Sequence, residues 1–212
     1  MEKAVRTVFA EYEKEKIIEK SRFITYCAHA ESEEEARAFI AKIRAKHTLA
    51  THVCYAFIAD KTGNLQRFSD DGEPQGTAGV PMLEVLKNKK LSETAVAVVR
   101  YFGGVKLGAG GLVRAYSSCT AECLDGADIR VLEVCAEYTI FVDYTGVDGV
   151  QKYLSTHTCT PLSTDYGARV AFKIAVKKAE EDGFIKGLVD YMQGKVETAR
   201  GEEYYAPFLE DK

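Results

Sequence analysis

The chain holds no apolar run near the ~18 residues that would cross a bilayer as a helix. Its opening, MEKAVRTVFAEYEKEK, puts charges where a secretory signal needs an apolar segment. No Cys-x-x-Cys pair occurs among the six cysteines at 27, 54, 119, 123, 135 and 159, so zinc spacing is missing. An excess of positive charge is missing too. The net charge is −4, with pI near 5.7, which excludes a globally basic nucleic-acid coat but not a local basic patch. Internal repeats and low-complexity segments are also absent. These absences predict a soluble cytoplasmic chain with no membrane partner. Most cysteines lie in apolar segments, as buried thiols in a reducing compartment do.

What is present is enough apolar residue, 46% of 212, for one large or two small cores. Strand-like pieces near 4–12 and 17–28 precede ESEEEARAFIAKIRAKH. There Ser32 and Glu35 form a capping box, and Ala36, Phe39, Ile40 and Ile43 follow at helical spacing. A hairpin is predicted from VCYAFIAD (53–60) through KTGN to LQRFS. Pro81 is expected to open a short helix. TAVAVVRYF (94–102) is apolar on nearly both faces, as a strand covered on both sides would be. GLVRAYSSCTAECLDG then reads as a helix burying Leu112, Tyr116, Cys119 and Cys123, closed by Gly126.

A boundary is expected near 127–132, separating domains at 1–130 and 133–209. Beyond it come a strand at 134–144, a helix with Val147, Val150 and Leu154 inward, and a strand near 159–166. Next, Val170, Phe172, Ile174 and Val176 alternate with Arg169, Lys173 and Lys177, before a second helix and a last strand. The β-α-β-β-α-β order is the ferredoxin-like arrangement.

Two loops and a histidine carry the candidate chemistry. RYFGGVKLGAGGLVRAY (100–116) places Gly103, Gly104, Gly108, Gly110 and Gly111 between a strand and a helix start, framed by Arg100, Lys106 and Arg114. Free N–H groups there suit an anion. Yet Ala109-Gly110 stand where a P-loop needs Lys and Ser/Thr, and Val113 where the dinucleotide formula needs glycine. The glycines equally suit positive φ or close backbone contact. Lys87, Lys89, Lys90, Arg100, Lys106 and Arg114 face only Glu93 over 87–116, with Tyr101, Phe102 and Tyr116 interleaved, a pattern that fits nucleic-acid contact or a solvated face over core aromatics.

The second loop, SDDGEPQGTAG (69–79), clusters Asp70, Asp71 and Glu73. They suit a rigid turn, pairing with Arg67, Arg100 or Arg114, Mg²⁺ binding, or general-base work. His52 and Cys54 share a strand face at about 7 Å, too far for a direct nucleophile–base pair, so His52 is a candidate contact residue instead.

These blocks resemble the IMPACT/YigZ family of conserved proteins. The resemblance rests on Ala50-Thr51-His52 with Cys54-Tyr55-Ala56, and on Ser69 to Pro74 with Gly76-Thr77-Ala78-Gly79. It rests also on Arg100 to Gly104, Lys106-Leu107-Gly108, Gly110-Gly111-Leu112 and Arg114-Ala115-Tyr116. Val53 stands where the pattern often has asparagine. The resemblance implies an α+β fold: an N-terminal α/β sandwich like domain four of elongation factor G, and a C-terminal domain like that factor's ferredoxin-like domains. Those folds sit on ribosomal RNA, so it also implies contact with RNA or the ribosome. Eukaryotic members regulate translation under amino-acid stress through a kinase co-activator and carry an added RWD domain. This length is expected to leave no room for one, so that competition is not carried over.

The expected function is translation-related binding of RNA, the ribosome or another phosphate-bearing partner through Arg100, Lys106, Arg114, the loop glycines and Tyr116. No cofactor, resident metal or catalytic residue is expected. The alternatives are a metal-dependent enzyme acting on a phosphate ester through Asp70, Asp71 or Glu73, and a protein–protein adaptor. Oligomeric state is not written in any of these motifs.

Overall fold

The computed structural model describes residues 4–209; residues 1–3 of the expected first domain lie outside them. The chain divides into two compact units, one running to Val131 and one covering Leu132–Pro207.

Where two strands are expected near the start there are three: β1 (Val5–Val8), β2 (Tyr12–Ile18) and β3 (Ser21–His29). Ile18 pairs with Ser21 across a two-residue turn whose central residues, Glu19 and Lys20, both have positive φ (44° and 65°). That is the backbone of a type I′ hairpin, usually carried by Asn-Gly. α1 (Glu33–Lys46) starts as its sequence predicts. Glu35 N–H donates to Ser32 Oγ at 3.2 Å, and the Glu35 carboxylate accepts from Glu31 N–H at 3.0 Å. β4 (His52–Ile58) and β5 (Gln66–Ser69) form the expected hairpin. α2 (Gly79–Asn88) begins two residues before Pro81, which still lies in the first turn, where a missing N–H costs no helical bond. β6 (Thr94–Tyr101) and α3 (Gly108–Gly126) complete the main elements of this unit.

The first unit's sheet has the order β2-β3-β6-β4-β5, antiparallel throughout. α1 covers one face through Ala36, Phe39, Ile40 and Ile43. α2 and α3 cover the other through Met82, Leu86, Leu112, Tyr116, Cys119 and Cys123. Central β6 serves both cores: Ala95, Ala97 and Val99 face α1, while Val96 and Val98 face α2 and α3. This explains its nearly continuous apolar sequence.

β7 (Ile129–Val142) starts earlier than expected, just after Asp128, whose carbonyl accepts from Phe9 N–H at 2.7 Å. α4 (Val147–Thr156), β8 (Thr160–Tyr166), β9 (Val170–Lys177), α5 (Glu181–Tyr191) and β10 (Glu197–Leu209) follow. The strand order β10-β7-β9-β8 puts the first and third strands of the motif, β7 and β9, inside, as a ferredoxin-like βαββαβ unit requires. The core uses Val170, Phe172, Ile174 and Val176 as their alternation predicts. On α4, Val150 and Tyr153 are the buried pair, while Val147 and Leu154 pack at the margin. Tyr153 can go inward because its hydroxyl donates to Phe184 O at 3.0 Å. No helix among the described residues is long and apolar enough to cross a membrane.

Candidate functional site

Alternation along β6 decides where Arg100 points. Val96 and Val98 face α2 and α3, so Arg100 does too, at the strand's end. It sits in register with Phe23 on β3 and His52 on β4. Its guanidinium stacks 5.4 Å from the Phe23 ring and 5.5 Å from that of Phe102. A cation this deep needs an anion, and the acidic loop supplies Glu73. Its Oε1 accepts from Arg100 Nη1 at 2.7 Å and from the Tyr116 hydroxyl at 2.7 Å.

The other two loop carboxylates look elsewhere. Asp70 accepts from the backbone N–H groups of Gly76, Ala78 and Gly79 at 2.8–3.0 Å. Burial opposes its ionisation, and those donors outweigh burial, holding its carboxyl below the usual range. Asp70 thereby fastens the loop to the start of α2, whose own N-cap residue, Ala78, has no side-chain acceptor. Asp71 accepts from Val53 N–H at 2.7 Å and pairs with Arg44 at 2.6 Å. Among the expected pairings, therefore, Arg100 meets Glu73, whereas Arg67 lies 3.7 Å from Glu33. Both oxygens of Asp70 and of Asp71 are thus held by backbone N–H groups and Arg44, while of Glu73 only Oε1 is engaged, by Arg100 and Tyr116.

His52 donates from Nδ1 to Asp71 O at 2.8 Å and turns Nε2 toward Glu73 Oε2, 3.8 Å away. Cys54, on the same face, lies with its thiol 2.9 Å from Asp70 O and 3.4 Å from the Tyr116 hydroxyl. It makes no hydrogen bond to His52. Burial pushes the Cys54 thiol up to about 12, which disfavours the thiolate that a nucleophile needs.

Above Glu73, Arg100 and His52 opens a cavity of about 340 Å³, with Pro74, Phe102, Leu107 and Leu112 as apolar walls and Thr51, Lys106, Gly108 and Ala109 among its lining. Lys106 also lines an open groove of about 510 Å³ beside Lys16, Gly111 and Arg114. Lys106 and Arg114 are exposed, and neither makes an ion pair with a described residue. α3 begins between them with no side-chain cap and no acid in its first turn.

The site residues expected from sequence thus separate. Lys106, Arg114, Gly104, Gly108 and Gly110 are exposed, and Gly103 and Gly111 are half-buried. Arg100 and Tyr116 are buried, at 5% and 0% exposure, so neither stands on the open basic surface expected of it; this corrects their expected role, and Arg100 reaches only the cavity wall. The basic run of 87–116 also divides. Lys87 and Lys89 pair with Glu84 and Asp125. They and Lys90 lie before β6, while the loop lies after it, about 25 Å further along the strand. Ser21 joins the site without a sequence signal. Its hydroxyl accepts from Arg100 Nη2 and from Gly103 N–H, both at 3.3 Å, so it ties the glycine loop to β3. Only strand register brings it there, and no local motif marks it.

The Impact N-terminal domain model matches residues 19–124, the region holding this cavity, and a domain of unknown function, DUF1949, matches 140–195. IMPACT family member YvyE of Bacillus subtilis (strain 168) is 39% identical over 193 residues, covering 91% of this chain and 89% of that one. IMPACT family member YigZ of Escherichia coli (strain K12) is 38% identical over 188 residues, covering 88% and 92%. A crystal structure described as that of a hypothetical protein is 35% identical, with a TM-score of 0.61 over 95% of this chain and 98% of that one. The two-loop signature, its domain match and relatives similar over most of both lengths agree: the chain belongs to the IMPACT family.

Proposed function

We propose that the first unit binds RNA by its phosphates, in a translation-related role in the cytoplasm. The observation that carries this reading is the pair Lys106 and Arg114, exposed, without ion-pair partners among the described residues, and lining one open groove. The uncapped first turn of α3 lies between them, and its free N–H groups and dipole favour a phosphate there. Arg100 contributes indirectly, by holding the acidic loop against the end of β6.

The test is fluorescence anisotropy with single-stranded RNA from about 50 to 200 mM salt. Affinity is expected to fall steeply with salt. Lys106→Ala and Arg114→Ala should each weaken binding and reduce the log–log salt slope by roughly 0.7, one single-strand phosphate contact. Wild-type binding that is absent or insensitive to salt overturns the reading.

A further inference from the structure

We infer that the cavity between the end of β6 and the start of α3 receives one unstacked RNA base carrying an exocyclic amine. The inference rests on the RNA reading above and deepens it. Apolar walls around a few convergent polar groups are the usual form of a small-ligand pocket, and about 340 Å³ is ample for one base. Phe102 lines it, and the residue is nearly half exposed (46%). An aromatic left open beside a basic groove is what base stacking uses.

The polar end of the cavity selects the kind of base. Asp71 O can only accept, so His52 Nδ1 carries the proton, and in the neutral ring Nε2 is an acceptor. It faces Glu73 Oε2, a second acceptor, at 3.8 Å, and neither atom has a hydrogen bond among the described residues. Two acceptors side by side call for a donor between them. An amine has two N–H groups and serves both. Adenine, cytosine and guanine present an amine; uracil presents none. Arg100 Nε–H, from a residue lining the same cavity, also has no acceptor among the described residues, a second sign that this polar cluster is incompletely satisfied by them. Lys106 lines both the cavity and the basic groove. A base in the first would therefore carry its phosphates to the second.

The experiment measures anisotropy of labelled homo-oligomers of about six nucleotides: adenylate, cytidylate, uridylate and an abasic strand of equal length. The wild type is expected to prefer the adenylate and cytidylate strands over the uridylate and abasic strands by about 5-fold or more. Phe102→Ala removes the stacking wall, and Ala109→Trp fills the cavity from an exposed position. Each should reduce adenylate binding to the abasic level. Lys186→Ala, on the second unit, should change nothing, and circular dichroism checks that each variant is folded. Equal wild-type affinity for all four strands, with salt dependence intact, overturns the base pocket and leaves the phosphate surface standing. No salt-sensitive binding to any strand overturns both. Adenosine monophosphate competing as strongly as the adenylate strand overturns the assignment to RNA in favour of a free nucleotide.

Discussion

Glu73 and Arg100 meet at 2.7 Å with side chains only 3% and 6% exposed. This contact joins the acidic loop to the strand that launches the glycine loop, so the two signature segments face each other and leave a cavity above their junction. A buried pair of this kind is costly to break from one side, because the remaining charge loses its partner. Arg100→Met is expected to destabilise the protein by about 3–5 kcal/mol. The double variant Arg100→Met/Glu73→Gln should lose clearly less, since the neutral amide still offers Tyr116 an oxygen. Urea midpoints of the two single variants and the double variant check this; additive losses would show that the two groups are not coupled.

Elements with strong periodicity are legible in the sequence itself. α1 has its capping box and four inward residues, β9 its strict alternation, and α3 its stripe through Leu112, Tyr116, Cys119 and Cys123. The β2–β3 hairpin is not, because Glu19-Lys20 adopts a turn backbone with none of the residues that advertise it. The site is legible as ingredients but not as pairings. Three carboxylates within four residues look alike in sequence, yet one holds backbone, one holds Arg44 and the third enters the core. Strand register and loop path decide among them, and both are non-local. The same reason hides the splitting of the basic run, which is contiguous in sequence but divided by the length of β6.

Asp70 should shape the acid limb of stability. Its carboxyl titrates below the usual range in the folded protein, while the unfolded value is about 3.9. Its contribution is therefore present above that pH and lost as pH falls through the folded value. Asp70→Asn should flatten this limb. Asp70→Ala, which also strands the N–H groups of Gly76, Ala78 and Gly79, is expected to cost about 1–3 kcal/mol near neutrality. Urea midpoints from about pH 7 to 3 compare the three proteins; an unchanged acid limb in Asp70→Asn would contradict the assignment.

His47, on the α1 side of the sheet, also loses stability as pH falls, but because the fold favours its neutral form. Its ring nitrogens contact the hydroxyls of Tyr26 and Tyr101, each at 2.8 Å. Burial, with Lys46 and Arg22 nearby, holds its pKa below the ordinary value. The neutral ring can donate to one tyrosine and accept from the other; the charged ring loses its acceptor. Stability is thus complete above the unfolded value of about 6.5 and declines as pH falls toward the folded value. Imidazole titration by NMR should give a midpoint below 6.5, and His47→Gln should weaken the decline in melting temperature between about pH 7 and 5.

Cys54 should behave as a core thiol although it lies beside His52. With its pKa at about 12, almost no thiolate exists at pH 8, and burial also blocks access. Native alkylation followed by mass spectrometry should leave Cys54 unmodified, with labelling only after denaturant unfolds the chain. Rapid native labelling would instead support a nucleophilic role.

Gly103 and Gly104 are adjacent and needed for different reasons. A Cβ on Gly103 would stand 1.9 Å from Lys20 O and 2.6 Å from Ser21 N. Both obstacles are backbone, so no rotamer change relieves them, and the β2–β3 turn would have to move. Gly104 has open space around it but a φ of +87°, where an added Cβ costs roughly 1–2 kcal/mol. Gly103→Ala is therefore expected to cost about 3 kcal/mol or more and to raise amide exchange in the β2–β3 hairpin. Gly104→Ala should cost the smaller amount and leave exchange in that hairpin unchanged. Hydrogen exchange separates the two causes even where the stabilities overlap: if both substitutions loosen the hairpin equally, close packing of Gly103 on Lys20 does not hold the loop.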